Sequence, residues 1–331
     1  MTLLALDDLH VTYRGGRGDV PAVRGVDLTL AKGRTLGIAG ESGCGKSTLA
    51  LALLRLLPKS ADVAGRILLN GEDVLTMGWG RLRAVRWADA SIVFQGAMHS
   101  LNAVHRVGRQ IAEPILLHGD TTEREAAEKA EELLGRVGLP AWRARSYPHE
   151  LSGGQRQRVM IAMALACDPD LIIADEATTA LDVMVQAQIL GLLSELVTER
   201  GAGLVMISHD LSVLSAHCDE VAVMYAGRVV EQGPAGAVFS EPLHPYTGAL
   251  GDSFPAIGDP AARLRPSGLP GDPPDPADLP GGCAFHPRCP AAEDRCRSEG
   301  PALLDLGDSR RSACLVTQSR RSAARAAEET A

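Results

Sequence analysis

Short apolar runs recur along the first 250 residues of the chain, and most lack the alternation of a strand with one solvated face. We predict strands over these runs, at residues 3–11, 26–30, 35–39, 90–94, 171–174 and 204–208. Helical patterns occupy residues 46–57, where Pro58 ends the helix, and residues 184–199. Apolar strands followed by helices are typical of a buried parallel sheet. The sequence therefore predicts an α/β fold with a mostly parallel sheet at its core.

The stretch from about residue 96 to residue 165 has a different, more charged character. Thr122 and Glu125 have the spacing of a capping box, and residues 123–137 then follow the pattern of an amphipathic helix. We predict a helical insert here, between two strands of the sheet. Further along, residues 220–225 and 228–232 are predicted to pair as a hairpin about Ala226 and Gly227.

The composition changes again after Phe254, where the chain becomes rich in Pro and Gly. We predict a main domain over residues 1–250 and an irregular extension, rich in Pro, Gly and Cys, over residues 251–319. Residues 320–331 are predicted to be a frayed or disordered tail.

Composition and charge exclude several classes of protein. The 331 residues carry a net charge of −8 with a pI near 5.6, which argues against nucleic acid as a partner because phosphate binding needs clustered Lys and Arg. Aromatic residues make up only 3%, so we expect an aliphatic core. No apolar run approaches the roughly 20 residues of a spanning helix, and the N-terminus lacks the basic region of a signal peptide. We therefore expect a cytosolic chain whose seven cysteines do not form disulfides.

A glycine-rich loop follows the predicted strand at residues 35–39. Its residues fit the pattern G-x-x-x-x-G-K-[ST], in which backbone N–H groups surround phosphates and the helix N-terminus adds positive partial charge. Lys46 is expected to reach the β- and γ-phosphates, and Ser47 to ligate Mg²⁺. The predicted nucleotide-binding residues here are Gly40, Ser42, Gly43, Cys44, Gly45, Lys46, Ser47 and Thr48.

Two further elements carry chemistry. The apolar strand at residues 171–174 runs into Asp175, expected to hold Mg²⁺, and Glu176, expected to orient or deprotonate an attacking water. A second glycine-rich element precedes a helix and reads Leu151-Ser152-Gly153-Gly154-Gln155.

Together these elements resemble the ATP-binding cassette (ABC) ATPases over about residues 3–250. The elements occur in the order seen in that superfamily: the glycine loop, Gln95, LSGGQ, Asp175-Glu176, Ala180-Leu181-Asp182 and His209. The resemblance implies a P-loop nucleotide-binding domain with a mostly parallel sheet, an antiparallel β subdomain and a helical subdomain. It also implies ATP and Mg²⁺ as ligands, and two ATP sites closed between two subunits.

The resemblance also implies roles for individual residues. Gln95 would bind Mg²⁺ and link the metal site to a membrane partner, and Asp182 would cross the dimer interface. His209 would contact the γ-phosphate. Tyr13 would stack on adenine, although a strand-end tyrosine that packs on the core is the alternative. The residues expected to contact ATP held by the opposite subunit are Ser152, Gly153, Gly154 and Gln155.

A narrower resemblance points to the oligopeptide, dipeptide and nickel importer branch. It is carried by Ser100-Leu101-Asn102 after Phe94-Gln95, by Tyr147-Pro148-His149-Glu150, by Pro242-Leu243-His244-Pro245-Tyr246-Thr247, and by the extension from Cys283 to Pro290. Two departures from the branch are Gly96-Ala97, where Asp-Pro is usual, and Ala177, where Pro is usual. Neither removes a catalytic group, and the first lies where the helical insert is expected to meet its membrane partner.

The implied function is an ATPase subunit that energises import of peptides or nickel from the cytoplasmic face of the membrane. Its implied partners are a second ABC ATPase, either the same chain or a related one, two membrane permeases and, indirectly, a solute-binding protein. The alternative is a non-transport ABC ATPase of translation or DNA repair, although such proteins typically carry two cassettes, a coiled-coil insert or a DNA module. A regulator that binds ATP without hydrolysis is a third reading, and Glu176 argues against it.

Four cysteines of the extension leave three alternatives open. Cys283, Cys289, Cys296 and Cys314 could hold a [4Fe–4S] cluster, as in some importers of this branch, could hold Zn²⁺, or could be unligated thiols. Their spacing lacks C-x-x-C knuckles. Assay of iron and sulfide in anaerobically purified protein distinguishes these states. Cys44, Cys167 and Cys218 are interpreted as packing residues.

Overall fold

The structure is a computed structural model that describes residues 1–16, 18–94, 100–177, 182–253 and 269–329. The strands are β1 Thr2–Tyr13, β2 Val20–Ala31, β3 Thr35–Ala39, β4 Ala61–Leu69, β5 Glu72–Asp73, β6 Ala90–Val93, β7 Leu171–Asp175, β8 Gly203–Ser208, β9 Glu220–Tyr225, β10 Arg228–Pro234, β11 Leu304–Asp305 and β12 Arg311–Ser312. The helices are α1 Lys46–Leu53, α2 Trp79–Ala88, α3 Val107–His118, α4 Glu123–Arg136, α5 Gly153–Ala164, α6 Val183–Arg200, α7 Leu211–His217, α8 Ala235–Ser240, α9 Pro245–Ser253 and α10 Leu315–Glu329.

The chain divides into two compact units. The first comprises residues 1–4, 30–35 and 68–207, and the second comprises residues 5–29, 36–67 and 208–331. Strands β2, β1, β4 and β5 follow one another in a four-stranded sheet, in which β4 and β5 pair antiparallel.

The first unit is built on the parallel strands β6, β7 and β8, whose register places Ile173 between Ile92 and Val205. All five residues of β7 are buried, as predicted for a strand covered on both faces. Between β6 and β7 the chain forms α3, α4 and α5, which pack on one another. The predicted capping box at Thr122 and Glu125 begins α4, with both of its hydrogen bonds present.

The second unit contains β3, which pairs parallel with β9, and the hairpin of β9 and β10 that the sequence predicts. The extension contributes strands where an irregular segment was predicted: β12 pairs antiparallel with β10, and β11 with β12. Each of these two strands is only two residues long, so no run of β-forming residues marks them in the sequence.

Helix ends also differ from the sequence prediction. Helix α1 ends at Leu53 and not at Leu57, because Arg55 adopts a left-handed backbone conformation with φ 51°. At the other end of the chain, residues predicted to be frayed lie in α10, which extends to Glu329. The alanine-rich sequence of this segment has high helix propensity, which a prediction based on its terminal position alone overlooks.

A buried aromatic cluster joins the extension to β9 and α9 within the second unit. The ring of Tyr225 lies 4.6 Å from that of Tyr246 and 5.3 Å from that of Phe285, centroid to centroid. Tyr246 and Phe285 are almost completely buried. Offset and edge-to-face contacts of this kind contribute to stability beyond the area that they bury.

A buried ion pair also joins the extension to β10 and to the segment that precedes α9. Glu231 of β10 has no exposed surface, and its carboxylate accepts hydrogen bonds from Arg310 Nη2 at 2.6 Å and from the backbone N–H of Leu243 and of His244 at 2.9 and 2.8 Å. Removal of one member of such a pair leaves an uncompensated buried charge, which is strongly destabilising.

The free energy of unfolding is expected to depend on pH through His244. Burial lowers the pKa of His244 to about 4, and its Nδ1 accepts a hydrogen bond from the backbone N–H of Tyr246 at 3.0 Å, so the folded chain holds a neutral imidazole. The unfolded chain binds a proton below about pH 6.5. The contribution to stability is therefore complete above pH 6.5, and about 3 kcal/mol of it is lost as the pH falls towards 4.

Urea unfolding at several values between pH 7 and pH 4.5 measures this slope. We expect His244→Gln to flatten it relative to the unsubstituted chain, whereas the same change at the exposed His149 should leave it unaltered. Equal slopes for the chain and for His244→Gln would contradict the assignment.

Candidate active site

The glycine-rich loop lies between β3 and α1, as predicted, and its backbone needs glycine at defined positions. Gly40 and Gly45 have φ of 151° and 107°. A Cβ at Gly40 would lie 2.4 Å from the carbonyl oxygen of Met224, and one at Gly45 would lie 2.2 Å from that of Ala22. These close approaches leave no room for a side chain at either position. Because α1 begins at Lys46, the first N–H groups of this helix face the loop end and lack partners within the helix.

Lys46 is folded into this loop. Its side chain is buried, and Nζ donates hydrogen bonds to the carbonyl oxygens of Gly40 at 2.7 Å and Glu41 at 2.8 Å. Cys44 lies beside it with Sγ 3.8 Å from Nζ, and burial raises the pKa of the Cys44 thiol. The loop therefore holds one buried ammonium group next to a neutral thiol, an arrangement suited to an anionic ligand.

Tyr13 lies at the end of β1 with its hydroxyl 3.1 Å from Thr48 Oγ1, a residue of the first turn of α1. The structure thus brings the predicted adenine-stacking residue next to the predicted phosphate-binding residues. The ring is half-buried, so one part of it is still accessible.

Two residues that the sequence analysis did not single out form hydrogen bonds with Glu41 of the loop. Arg288 of the extension forms a bidentate ion pair with Glu41, and the hydroxyl of Tyr246 accepts a hydrogen bond from the backbone N–H of Glu41 at 2.8 Å. Both belong to segments quoted only for their resemblance to the importer branch. No local pattern links them to Glu41, because they lie 247 and 205 residues away in the sequence.

In the first unit, Asp175 and Glu176 stand at the carboxyl end of β7. Asp175 is the last residue of the strand and is buried, whereas Glu176 is half-buried. Glu176 adopts φ 43°, in the left-handed region, and its N–H donates a hydrogen bond to the carbonyl oxygen of Ile207 at 3.1 Å. A left-handed conformation costs an ordinary residue about 1–2 kcal/mol and turns its side chain out of the strand direction.

The LSGGQ element forms the N-terminus of α5. Ser152 is the N-cap, and it exchanges hydrogen bonds with Gln155 in a capping box. Arg156 Nε donates to the carbonyl oxygens of Pro148 and Leu151 at 2.8 and 3.1 Å, which ties the preceding turn to the helix. A Cβ at Gly154 would lie 2.7 Å from a methyl group of Val185 in α6. A side chain at this position would therefore force Val185 or α5 to shift.

The remaining predicted site residues fall in three places. Asp182 is the N-cap of α6, where its carboxylate accepts a hydrogen bond from the N–H of Val185 at 2.9 Å. His209 is exposed in the second unit, between β8 and α7. Gln95, Ala180 and Leu181 lie outside the described residues.

The four cysteines of the extension line one small cavity of about 10 Å³, together with residues such as Phe285 and His286. Burial is the main cause that raises the pKa of Cys283 and of Cys289. Over the described ranges, no group of three or more His, Cys, Asp or Glu side chains is arranged to hold a metal ion. No step of the chemistry is therefore assigned to these thiols.

The α/β fold and the glycine-rich loop define a P-loop ATP-binding cassette, and comparisons with known proteins agree. Residues 23–179 match the family described as ABC transporter, and residues 230–296 match the C-terminal region of oligopeptide/dipeptide transporters. A dimeric ATP-binding cassette in a post-hydrolysis state with ADP and Pi superposes with a TM-score of 0.63 at 28% identity, over 70% of this chain and 98% of the other. The cbiO1 protein from Clostridium perfringens gives 0.61 at 30% identity, over 72% and 91%. The predicted fold class is thereby confirmed.

Relatives of similar length indicate the branch of the ABC transporter family to which the chain belongs. The oligopeptide transport ATP-binding protein OppD of Salmonella typhimurium is 46% identical over 314 residues, which cover 94% of this chain and 93% of OppD. A putative peptide import ATP-binding protein of Brucella abortus is 44% identical over 330 residues, which cover 96% and 97%. The chain belongs to the ABC transporter family, in its oligopeptide/dipeptide branch, and it is an ATPase that uses ATP with Mg²⁺.

Proposed function

We propose that this chain hydrolyses ATP to energise import of peptides through an ABC transporter. The observation that carries the proposal is the glycine-rich loop around Lys46, which is joined in one chain to an extension of the peptide-transporter type. Relatives that match over almost the whole chain are named for peptide import, which favours peptides over nickel and favours transport over translation or DNA repair.

Within the proposed reaction, Lys46 binds the β- and γ-phosphates, and the N–H groups at the start of α1 bind phosphate oxygens. Ser47, Gln95 and Asp175 supply oxygen ligands of the kind that Mg²⁺ prefers. When bound, this ion neutralises charge on the phosphates. Glu176, directly after the end of β7, accepts a proton from water as the water oxygen bonds to the γ-phosphorus, while the bond from that phosphorus to the ADP leaving group breaks.

The reaction also needs a second cassette, because the residues at the start of α5 are proposed to contact ATP held by the opposite subunit. Ser152, Gly153, Gly154 and Gln155 serve this role, with the helix N-terminus directed at the phosphates. Asp182 contributes at the dimer interface, His209 contacts the γ-phosphate, and Tyr13 stacks on adenine. The second cassette is either another copy of this chain or a related chain.

Membrane permeases complete the proposed assembly, and the chain docks on their cytoplasmic side. In the part of the chain that the structure describes, no helix is long and apolar enough to cross a bilayer. Separate subunits are proposed to supply the pathway, and a solute-binding protein to deliver the peptide. Nucleic acid is not a proposed partner, in keeping with the net charge of −8.

Co-purification tests this proposal. A tagged copy of the chain, isolated from detergent-solubilised membranes, is expected to bring two multi-spanning permeases with it, and the complex in lipid vesicles should hydrolyse ATP faster when peptide-loaded binding protein is added. Lys46→Ala should abolish the hydrolysis, whereas Lys59→Ala, at an exposed position, should not. Recovery of the chain with ribosomes or DNA-repair proteins, and without permeases, would contradict the proposal.

A further inference from the structure

The C-terminal extension reaches the phosphate loop through one ion pair. Arg288 Nη1 lies 2.7 Å from Glu41 Oε2, and Nη2 lies 2.9 Å from Oε1. The two side chains are only 7% and 19% exposed. A bidentate guanidinium–carboxylate pair with this degree of burial is stronger and more directional than a surface ion pair.

Contacts other than the ion pair with Glu41 also hold the Arg288 side chain in place. Its Nε donates to the carbonyl oxygen of Pro270 at 2.7 Å, and Nη2 also donates to that of Gly271 at 3.1 Å. The guanidinium lies over the ring of Tyr225, 5.9 Å from the centroid, within 3.4 Å of its hydroxyl. These contacts orient the Arg288 guanidinium towards the loop and do not depend on Glu41. The guanidinium is therefore a preorganised binding group.

Glu41 occupies a position where its charge matters. It is the second residue of the loop, directly after Gly40, and its own carbonyl oxygen accepts a hydrogen bond from the Lys46 ammonium. A free carboxylate at this position would oppose the binding of a polyphosphate, because like charges repel most strongly where water is partly excluded. Arg288 neutralises that carboxylate and draws it towards the extension.

We propose that Arg288 is a positioning residue of the ATP site, which neutralises Glu41 and holds its carboxylate against the extension so that it does not repel bound phosphates. This inference rests on the proposed function of the loop as an ATP site. It makes the extension part of the nucleotide site in addition to its packing against β10. The hydrogen bond from Glu41 N–H to Tyr246 of α9 is a second contact made by the same loop residue.

Isothermal titration of the full chain with ATP and with ADP tests the proposal on Arg288→Ala, Glu41→Gln and the double variant. We expect Arg288→Ala to raise the Kd for ATP about tenfold or more, because the Glu41 carboxylate then keeps its full negative charge beside the bound phosphates. The rise should be smaller for ADP, which carries less negative charge. Glu41→Gln alone should change the Kd by no more than about twofold. In the double variant the Kd should return close to that of the unsubstituted chain, since no carboxylate is left to repel phosphate.

The double variant separates charge neutralisation from simple loss of structure, because it lacks the same ion pair. An unchanged Kd in Arg288→Ala would overturn the proposal, and so would a double variant that binds ATP as weakly as Arg288→Ala. Arg295→Ala is the matched control, since the side chain of Arg295 donates hydrogen bonds only within the extension, to Glu293, Leu315 and Ser319, over the residues that the structure describes. If the unsubstituted chain binds no ATP, the proposed function fails instead, so the two failures are distinguishable.

Discussion

Replacement of Glu176 by Gln is expected to lower ATP turnover by about 10³-fold while ATP binding is retained. The amide has the size and shape of the carboxylate but cannot accept a proton from water. Glu176 already occupies a left-handed backbone conformation with φ 43°, anchored by its hydrogen bond to the Ile207 carbonyl oxygen. The substitution leaves that backbone unchanged, so the loss should appear in kcat and not in the stability of the chain.

Two measurements check this expectation. Steady-state phosphate release gives kcat, and size-exclusion chromatography with ATP and Mg²⁺ shows whether the variant accumulates as a closed dimer with its partner cassette. Glu195→Gln is a suitable control, because Glu195 is an exposed residue of α6. Sustained hydrolysis by Glu176→Gln would assign the base to another residue.

The parts of the fold that could be predicted from sequence are those whose signal is local. Apolar runs identified β3, β7 and β8, the capping box identified the start of α4, and the spacing of glycines identified the phosphate loop. Each of these features is fixed by residues within about one turn or one strand of one another, so the sequence contains the whole signal. The same holds for Ser152 at the N-cap of α5.

The contacts that could not be predicted join residues far apart in the chain. The pairing of β12 with β10 brings Ser312 beside Glu231, and neither two-residue strand of the extension has a pattern of its own. Strand β4 was also missed, because exposed residues and Gly65 interrupt its apolar run. The ion pair of Arg288 with Glu41 joins residues 247 positions apart, and it requires the extension to be placed by its pairing with β10 and by the aromatic cluster.

The loop glycines provide the second large effect. Gly45→Ala is expected to lower the free energy of unfolding by about 3 kcal/mol and to abolish detectable ATP binding, because an alanine both strains the backbone at φ 107° and collides with a neighbouring strand. The new Cβ would lie 2.2 Å from the carbonyl oxygen of Ala22 in β2, so either β2 or the start of α1 must move. Movement of α1 would displace Lys46 and the helix N–H groups from their positions around the phosphates.

Gly43→Ala is the matched comparison, because it lies in the same loop with φ 82° but has no atom within 4 Å of the added Cβ. It should cost only the strain of the left-handed conformation, about 1 kcal/mol. Urea unfolding and titration with ATP, applied to both variants, measure the two effects side by side. A smaller loss for Gly45→Ala than for Gly43→Ala would contradict the close approach of Ala22, because strain alone would then govern the loop. A larger loss for Gly45→Ala than for Gly43→Ala would mean that packing against β2, in addition to the backbone freedom of glycine, fixes the conformation of the loop.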